Sequence, residues 1–215
     1  MYSFDEKTPT VLCEIMGRHR SDKGGANITE SWHNYTTFYY NIFKDRRDTH
    51  LRVFELGLGT NNVDILSNMG PDGVPGASLY GWKDFFPLAH IFGADIDKDI
   101  LFQTDRIQTF YCDQTNPDMI KTMWEDPLLQ EPFDIIIEDG LHTFDANVCF
   151  FENSIHKLKT NGYYIIEDVF KGEESLFVEK LKEWELQYTD CVFTMLTIPS
   201  TKNSCDNALV VVFKK

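Results

Sequence analysis

Asp139, His142 and the adjoining pair Glu167 and Asp168 are the residues of this chain whose types and spacing could do the most chemistry. Asp139 follows the apolar run 133–138 and Glu167-Asp168 follows the apolar run 163–166, with room for one helix and two turns between them. If the two runs are neighbouring parallel strands, their carboxyl ends lie ~5 Å apart and three carboxylates meet. Such a cluster cannot stay fully ionised and unpaired without large repulsion, and a divalent cation resolves it. Three oxygen donors with no thiolate suit a hard ion, Mg²⁺ or else Mn²⁺ or Ca²⁺, held by Asp139, Glu167 and Asp168. Successive strand residues point to opposite faces, so Glu167 and Asp168 share an ion only if the chain turns there. His142, three positions beyond Asp139, would reach the same pocket as a base or as a further polar contact. The bland alternative makes Asp139 a helix cap and the other charges solvated loop residues.

A second constellation lies earlier. Glu55-Leu-Gly57-Leu-Gly59 closes the apolar run 51–56, and glycine there lets backbone approach a ligand at the carboxyl edge of a sheet. A dinucleotide fingerprint would want a third glycine at position 62, where Asn62 stands, and an acidic residue about 20 positions on, where none ends a strand. The pattern better fits S-adenosylmethionine, which has no pyrophosphate to seat on a helix N-terminus. Asp95 or Asp97, ending the next run, would accept hydrogen bonds from both ribose hydroxyls, and Asp113, ending the third, would lie at the adenine edge. Three acidic strand ends match a cationic sulfonium better than a dianion. The plain alternative is a tight strand-to-helix turn with Asp97 and Asp113 as caps.

The elements that must position these groups alternate along the chain. Runs 51–56, 91–96, 106–112, 133–138 and 163–166 are short and rich in β-formers, and helical patterns at 78–86, 99–104, 118–126 and 144–159 separate them. A charged amphipathic helix at 173–188 precedes two apolar runs, 191–198 and 208–213, joined by a short polar hairpin connection. The expected fold is α/β: a Rossmann-like, seven-stranded, mostly parallel sheet with helices on both faces and an antiparallel C-terminal strand pair. Residues 1–50, with a helix at 32–44, form an N-terminal extension to the domain 51–215. The loop 67–77 has three Gly and two Pro, and loops of that length bound a site or move. Trp82, Phe85 and Phe86 are expected in the core or a dimer contact rather than under a substrate.

Composition narrows the partners. Lys and Arg total 20 against 34 Asp and Glu, a net charge of −14, which disfavours nucleic acid and anionic membrane surfaces. A neutral or cationic small ligand fits better. The apolar runs are too short to span a bilayer. Asp5, Glu6 and Lys7 open the chain without the pattern of a secretory signal, and the five cysteines show no metal or redox spacing, so a reduced cytoplasmic protein is expected.

Taken together, Ser21-Asp22-Lys23-Gly24, His33-x-Tyr35-x-x-x-Tyr39, Glu55-Leu-Gly57-Leu-Gly59, Gly76-Ala-Ser-Leu79-x-x-Trp82, Gly93-Ala-Asp95-Ile-Asp97, Asp113-Gln114, Asp139-Gly-x-His142 and Glu167-Asp168 resemble metal-dependent class I O-methyltransferases. The nearest group is that of the macrocin, mycinamicin and novobiocin sugar O-methyltransferases, and the resemblance spans about residues 20–170. It implies Mg²⁺ on Asp139, Glu167 and Asp168, with His142 or Asp139 as base. It also implies S-adenosylmethionine bound around Glu55, Gly57, Gly59, Asp95, Asp97, Asp113 and Gln114, with Lys23 and Tyr35 folding over the pocket. The acceptor it implies is a small polar molecule with a sugar hydroxyl, phenolic and phosphorus-linked hydroxyls being alternatives, and relatives of this kind often assemble as homo-oligomers. The turn Gly59-Thr-Asn-Asn62 departs from the Gly pair and Ser of antibiotic-sugar members. A nicotinamide-dependent dehydrogenase and a non-catalytic module on the same fold are the rival readings.

Overall fold

The computed structural model describes residues 2, 5 and 7–215; Glu6, part of the acidic opening, lies outside them. Among the described residues eight strands form one sheet: β1 (Arg52–Leu56), β2 (His90–Asp95), β3 (Gln103–Thr104), β4 (Ile107–Tyr111), β5 (Phe133–Glu138), β6 (Leu158–Ile166), β7 (Cys191–Thr197) and β8 (Ala208–Lys214). Their order is β3-β4-β2-β1-β5-β6-β8-β7. The five central strands β4, β2, β1, β5 and β6 are parallel, while β8 runs antiparallel to both β6 and β7. The chain leaves β1 toward β2 on one side and returns to β5 on the other, so ligands are expected at the carboxyl ends of β1 and β5, where the winding reverses.

Among the described residues six α-helices cover the sheet: α1 (Val11–His19), α2 (Tyr35–Phe43), α3 (Ala77–Phe85), α4 (Pro117–Trp124), α5 (Phe144–Ser154) and α6 (Glu174–Gln187). Strand residues alternate between the two faces. Val53, Ile91, Ile135, Ile137, Ile165 and Val211 pack against Met16, Tyr39 and Trp82 of α1, α2 and α3. Phe54, Phe92, Ile136, Tyr164 and Val212 face Trp124, Phe150, Phe151 and Trp184 of α4, α5 and α6. Trp82, Phe85 and Phe86 are fully buried core residues. Among the described residues no helix is long and apolar enough to cross a membrane.

Three local expectations change. The helix expected at 99–104 is a single 3₁₀ turn (Lys98–Ile100) followed by β3, which pairs antiparallel with β4 across a tight turn holding Arg106 at φ 63°. This pairing adds the eighth strand, and helical spacing over six residues is too short a pattern to resist it. The helix expected to reach 159 ends at Ser154, because Leu158 already pairs with Phe133 of β5; Asn161 (φ 61°) and Gly162 then absorb a register shift. Helix α1 was not anticipated, although Thr10 caps it by accepting from the Cys13 amide (3.4 Å) and Leu12, Ile15 and Met16 sit at helical spacing.

Candidate active site

Gly57 leaves β1 at φ 89°, and a Cβ there would stand 1.8 Å from the carbonyl oxygen of Asp139. The tip of β1 therefore lies against the tip of β5, and only glycine permits it. Gly57→Ala adds positive-φ strain, of order 1–2 kcal/mol, to a direct collision. The expected result is a lowered melting temperature and lost nucleoside binding, read by thermal denaturation with and without ligand.

Beside this junction opens a cavity of about 370 Å³, walled by Gly57, Gly59, Thr60, Asp95, Asp113 and Gln114 and by Gly140 to His142. Residues Ser67, Met69, Val74 and Ala77 of the long glycine-proline loop and neighbouring Ile65 and Leu66 close one side. Asp95 accepts from the amides of Leu58 (2.7 Å) and Asp97 (2.8 Å), so it both faces the cavity and shapes the glycine turn. Burial raises its pKa. Asp113 accepts from the Thr115 amide and hydroxyl. Gln114 accepts from the Leu141 amide (2.6 Å), pinning the loop after β5.

Four of the residues read from sequence stand behind the wall rather than on it. Glu55 is fully buried and accepts from Ser78 and from the Trp82 indole (2.5 Å). Asp97 accepts from the hydroxyl of Thr60, which does face the cavity. Tyr35 donates to Asp168 (2.8 Å). Lys23 points into the carboxylate cluster, while its neighbours Ser21 and Asp22 reach the cavity. Sequence reasoning missed Ser21, Asp22 and Thr60 as wall residues, though the first two lie inside a motif it singled out.

The carboxylate cluster adjoins the cavity at Asp139. Strands β5 and β6 are parallel neighbours, as the spacing required, and Asp168 sits at φ 54°. That left-handed residue turns the chain after Glu167, so both acids approach Asp139. Asp139 Oδ2 accepts from the Lys23 ammonium (2.5 Å), which also donates to Glu167 and lies 3.6 Å from Glu55 Oε1. Asp139 Oδ1 is 3.0 Å from His142 Nε2, and His142 Nδ1 is 3.6 Å from Asp168 Oδ2. Tyr39 donates to Glu167, and His33 Nε2 lies 3.4 Å from Asp168. Ligand atoms of Asp139, His142 and Asp168 all fall within 4.8 Å of one another. Glu167 joins them through Lys23 rather than directly.

The electrostatics follow from this crowding. Burial opposes the charge on Asp139, but Lys23 and His142 outweigh it and hold its carboxyl below the usual range. Burial and then the charge of Asp139 push Asp168 up to about 6. Burial also raises Glu167 well above the usual carboxylate range, despite the Lys23 ammonium. For His142 burial works against protonation, yet the Asp139 hydrogen bond and the charges of Asp168 and Asp139 raise it to about 10. The site thus holds a surplus of acid compensated by Lys23 and a protonated imidazole. Hard oxygen donors gathered from Asp139, Glu167 and Asp168 are the ligand chemistry a divalent cation takes.

These features, on this sheet, define the Rossmann-like fold of methyltransferases, and comparison with known proteins agrees. The chain is 32% identical over 162 residues to the 8-demethyl-8-(2-methoxy-alpha-L-rhamnosyl)-tetracenomycin-C 3'-O-methyltransferase of Streptomyces olivaceus, covering 75% of this chain and 37% of that enzyme. It is 30% identical over 159 residues to the demethylmacrocin O-methyltransferase of Streptomyces fradiae, covering 74% and 36%. The solved structure of MycE, a methyltransferase of mycinamycin biosynthesis in complex with Mg, SAH and mycinamycin VI, superposes with a TM-score of 0.71 at 25% identity, over 97% of this chain and 55% of that one. No family model matches. The chain spans well under half the length of the curated relatives, and these relatives bear out the resemblance read from the motifs.

Proposed function

We propose that this protein transfers a methyl group from S-adenosylmethionine to a sugar hydroxyl of a small polar acceptor, assisted by Mg²⁺. The observation that carries this reading is the adjacency of the glycine-walled cavity to the Asp139 cluster, with Asp139 common to both. Asp95 and Asp113 are the acceptors available to a ribose and an adenine, and Gly57 and Gly59 line the wall beside which the methionine portion would lie. Asp139, Glu167 and Asp168 would hold the ion, which when bound would polarise and orient the acceptor hydroxyl.

The chain's own residues do the rest. The cavity fixes the donor so that the hydroxyl meets it in line, and such positioning supplies much of the acceleration. His142, on the cavity wall and 3.0 Å from Asp139, is the group placed to take the hydroxyl proton. It must first be neutral, and the pair Asp139 and Asp168 is what holds its proton. A divalent ion held by those carboxylates would lower that hold. Tyr35 and Tyr39, on α2, fix Asp168 and Glu167 in place, so α2 and the preceding Lys23 act as a cover that completes the site. Five free cysteines support action in the reducing cytoplasm. The acidic net charge speaks against a nucleic-acid acceptor.

The test is a methylation assay on glycosides carrying free sugar hydroxyls, scored by mass spectrometry. The expected result is addition of one methyl group that depends on S-adenosylmethionine and Mg²⁺ and stops in excess chelator. Full transfer in chelator would remove the metal from the mechanism; heat on titrating NAD(H) but none with S-adenosylmethionine would favour a dehydrogenase.

A further inference from the structure

The Lys23 ammonium is a cation already seated in the carboxylate cluster. The side chain is 1% exposed, with Asp139 at 2.5 Å, Glu167 in direct hydrogen bond and Glu55 at 3.6 Å. It comes from the connection between α1 and α2, not from the sheet that carries the acids. A divalent ion drawn to Asp139 and Glu167 would need the lone pairs this ammonium holds, and would repel it at contact distance. Lysine has a compact head on a flexible stem and can withdraw while its backbone moves little.

We propose that Lys23 is a tethered competitor of the divalent cation: it neutralises Asp139 and Glu167 while the ion is absent and leaves them when the ion binds. The connection Ser21–Gly24 is then the segment that responds to metal uptake. Because Ser21 and Asp22 also wall the nucleoside cavity, the response reaches the donor site. The inference rests on the metal reading above but makes a separate statement about sign. A lysine that merely props up the cluster would make metal binding weaker when removed; a competitor makes it tighter.

The experiment is Mn²⁺ titration of the whole chain followed by electron paramagnetic resonance, comparing wild type with Lys23→Met and Lys23→Arg. Expected is Mn²⁺ binding tighter by about tenfold or more in Lys23→Met, from loss of a unit charge at contact distance, and no tightening in Lys23→Arg. Equal or weaker binding by a folded Lys23→Met overturns the proposal and leaves the metal reading intact. Absence of Mn²⁺ uptake by both wild type and Lys23→Met overturns the two together. Should Lys23→Met not fold without metal, hydrogen exchange on wild type decides. Saturating Mn²⁺ is expected to speed exchange of the amides at Asp22, Lys23 and Gly24, and unchanged or slower exchange overturns the proposal.

Discussion

On the proposed reaction, Asp139→Asn is expected to reduce methyl transfer by about 10³-fold or more, the equivalent of roughly 4 kcal/mol of transition-state stabilisation. Both oxygens of Asp139 are committed, Oδ2 to Lys23 and Oδ1 to His142, and its backbone carbonyl abuts Gly57. The isosteric amide keeps the backbone junction and the volume while removing the charge that draws a cation. It also withdraws the main support of the His142 proton. The measurement is turnover at saturating Mg²⁺ together with Mn²⁺ uptake; both should fall while SAH affinity stays within a few-fold. Retained turnover with lost Mn²⁺ binding would separate Asp139 from the chemistry.

His142→Gln is expected to lower turnover by about 10²- to 10⁴-fold, the usual worth of a positioned proton acceptor, with Mn²⁺ binding retained. The imidazole has a second signature. With pKa near 10 in the cluster as it stands, His142 is protonated throughout the neutral range and cannot accept a proton. Since Asp139 and Asp168 provide that stabilisation, a divalent ion on the same carboxylates favours the neutral ring. The pKa should therefore fall toward the ordinary histidine value on adding Mg²⁺. Nuclear magnetic resonance of the His142 ring, titrated with and without Mg²⁺, checks this. A pKa that does not move would mean that ion and imidazole do not share these carboxylates.

Much of this site was legible because strand ends are short, apolar and followed at once by chemistry. The runs that carry Glu55 and Asp95 and those that precede Asp139 and Glu167 are all found in the sheet, and β5 and β6 are neighbours as the gathering of carboxylates required. Which way each acid points was not legible. Glu55 and Asp97 have the right type and place, yet Ser78, Trp82 and Thr60 claim their oxygens, and such long-range partners leave no local signal. The turn that lets Glu167 and Asp168 act together is a single left-handed residue, and aspartate tolerates that conformation without advertising it. Lys23 stands in the sequence as one basic residue in a polar loop. Only the fold brings it within reach of three acids more than thirty residues away.

Crystals grown with Mn²⁺ and SAH, with the metal located by its anomalous scattering, show whether donor and ion share this site. Expected are SAH in the cavity along Gly57, Asp95 and Asp113, and one metal peak at ~2.1 Å from carboxylate oxygens of Asp139, Glu167 and Asp168, with the Lys23 ammonium withdrawn. SAH bound elsewhere, or no metal among these carboxylates at saturating Mn²⁺, would contradict the proposed reaction.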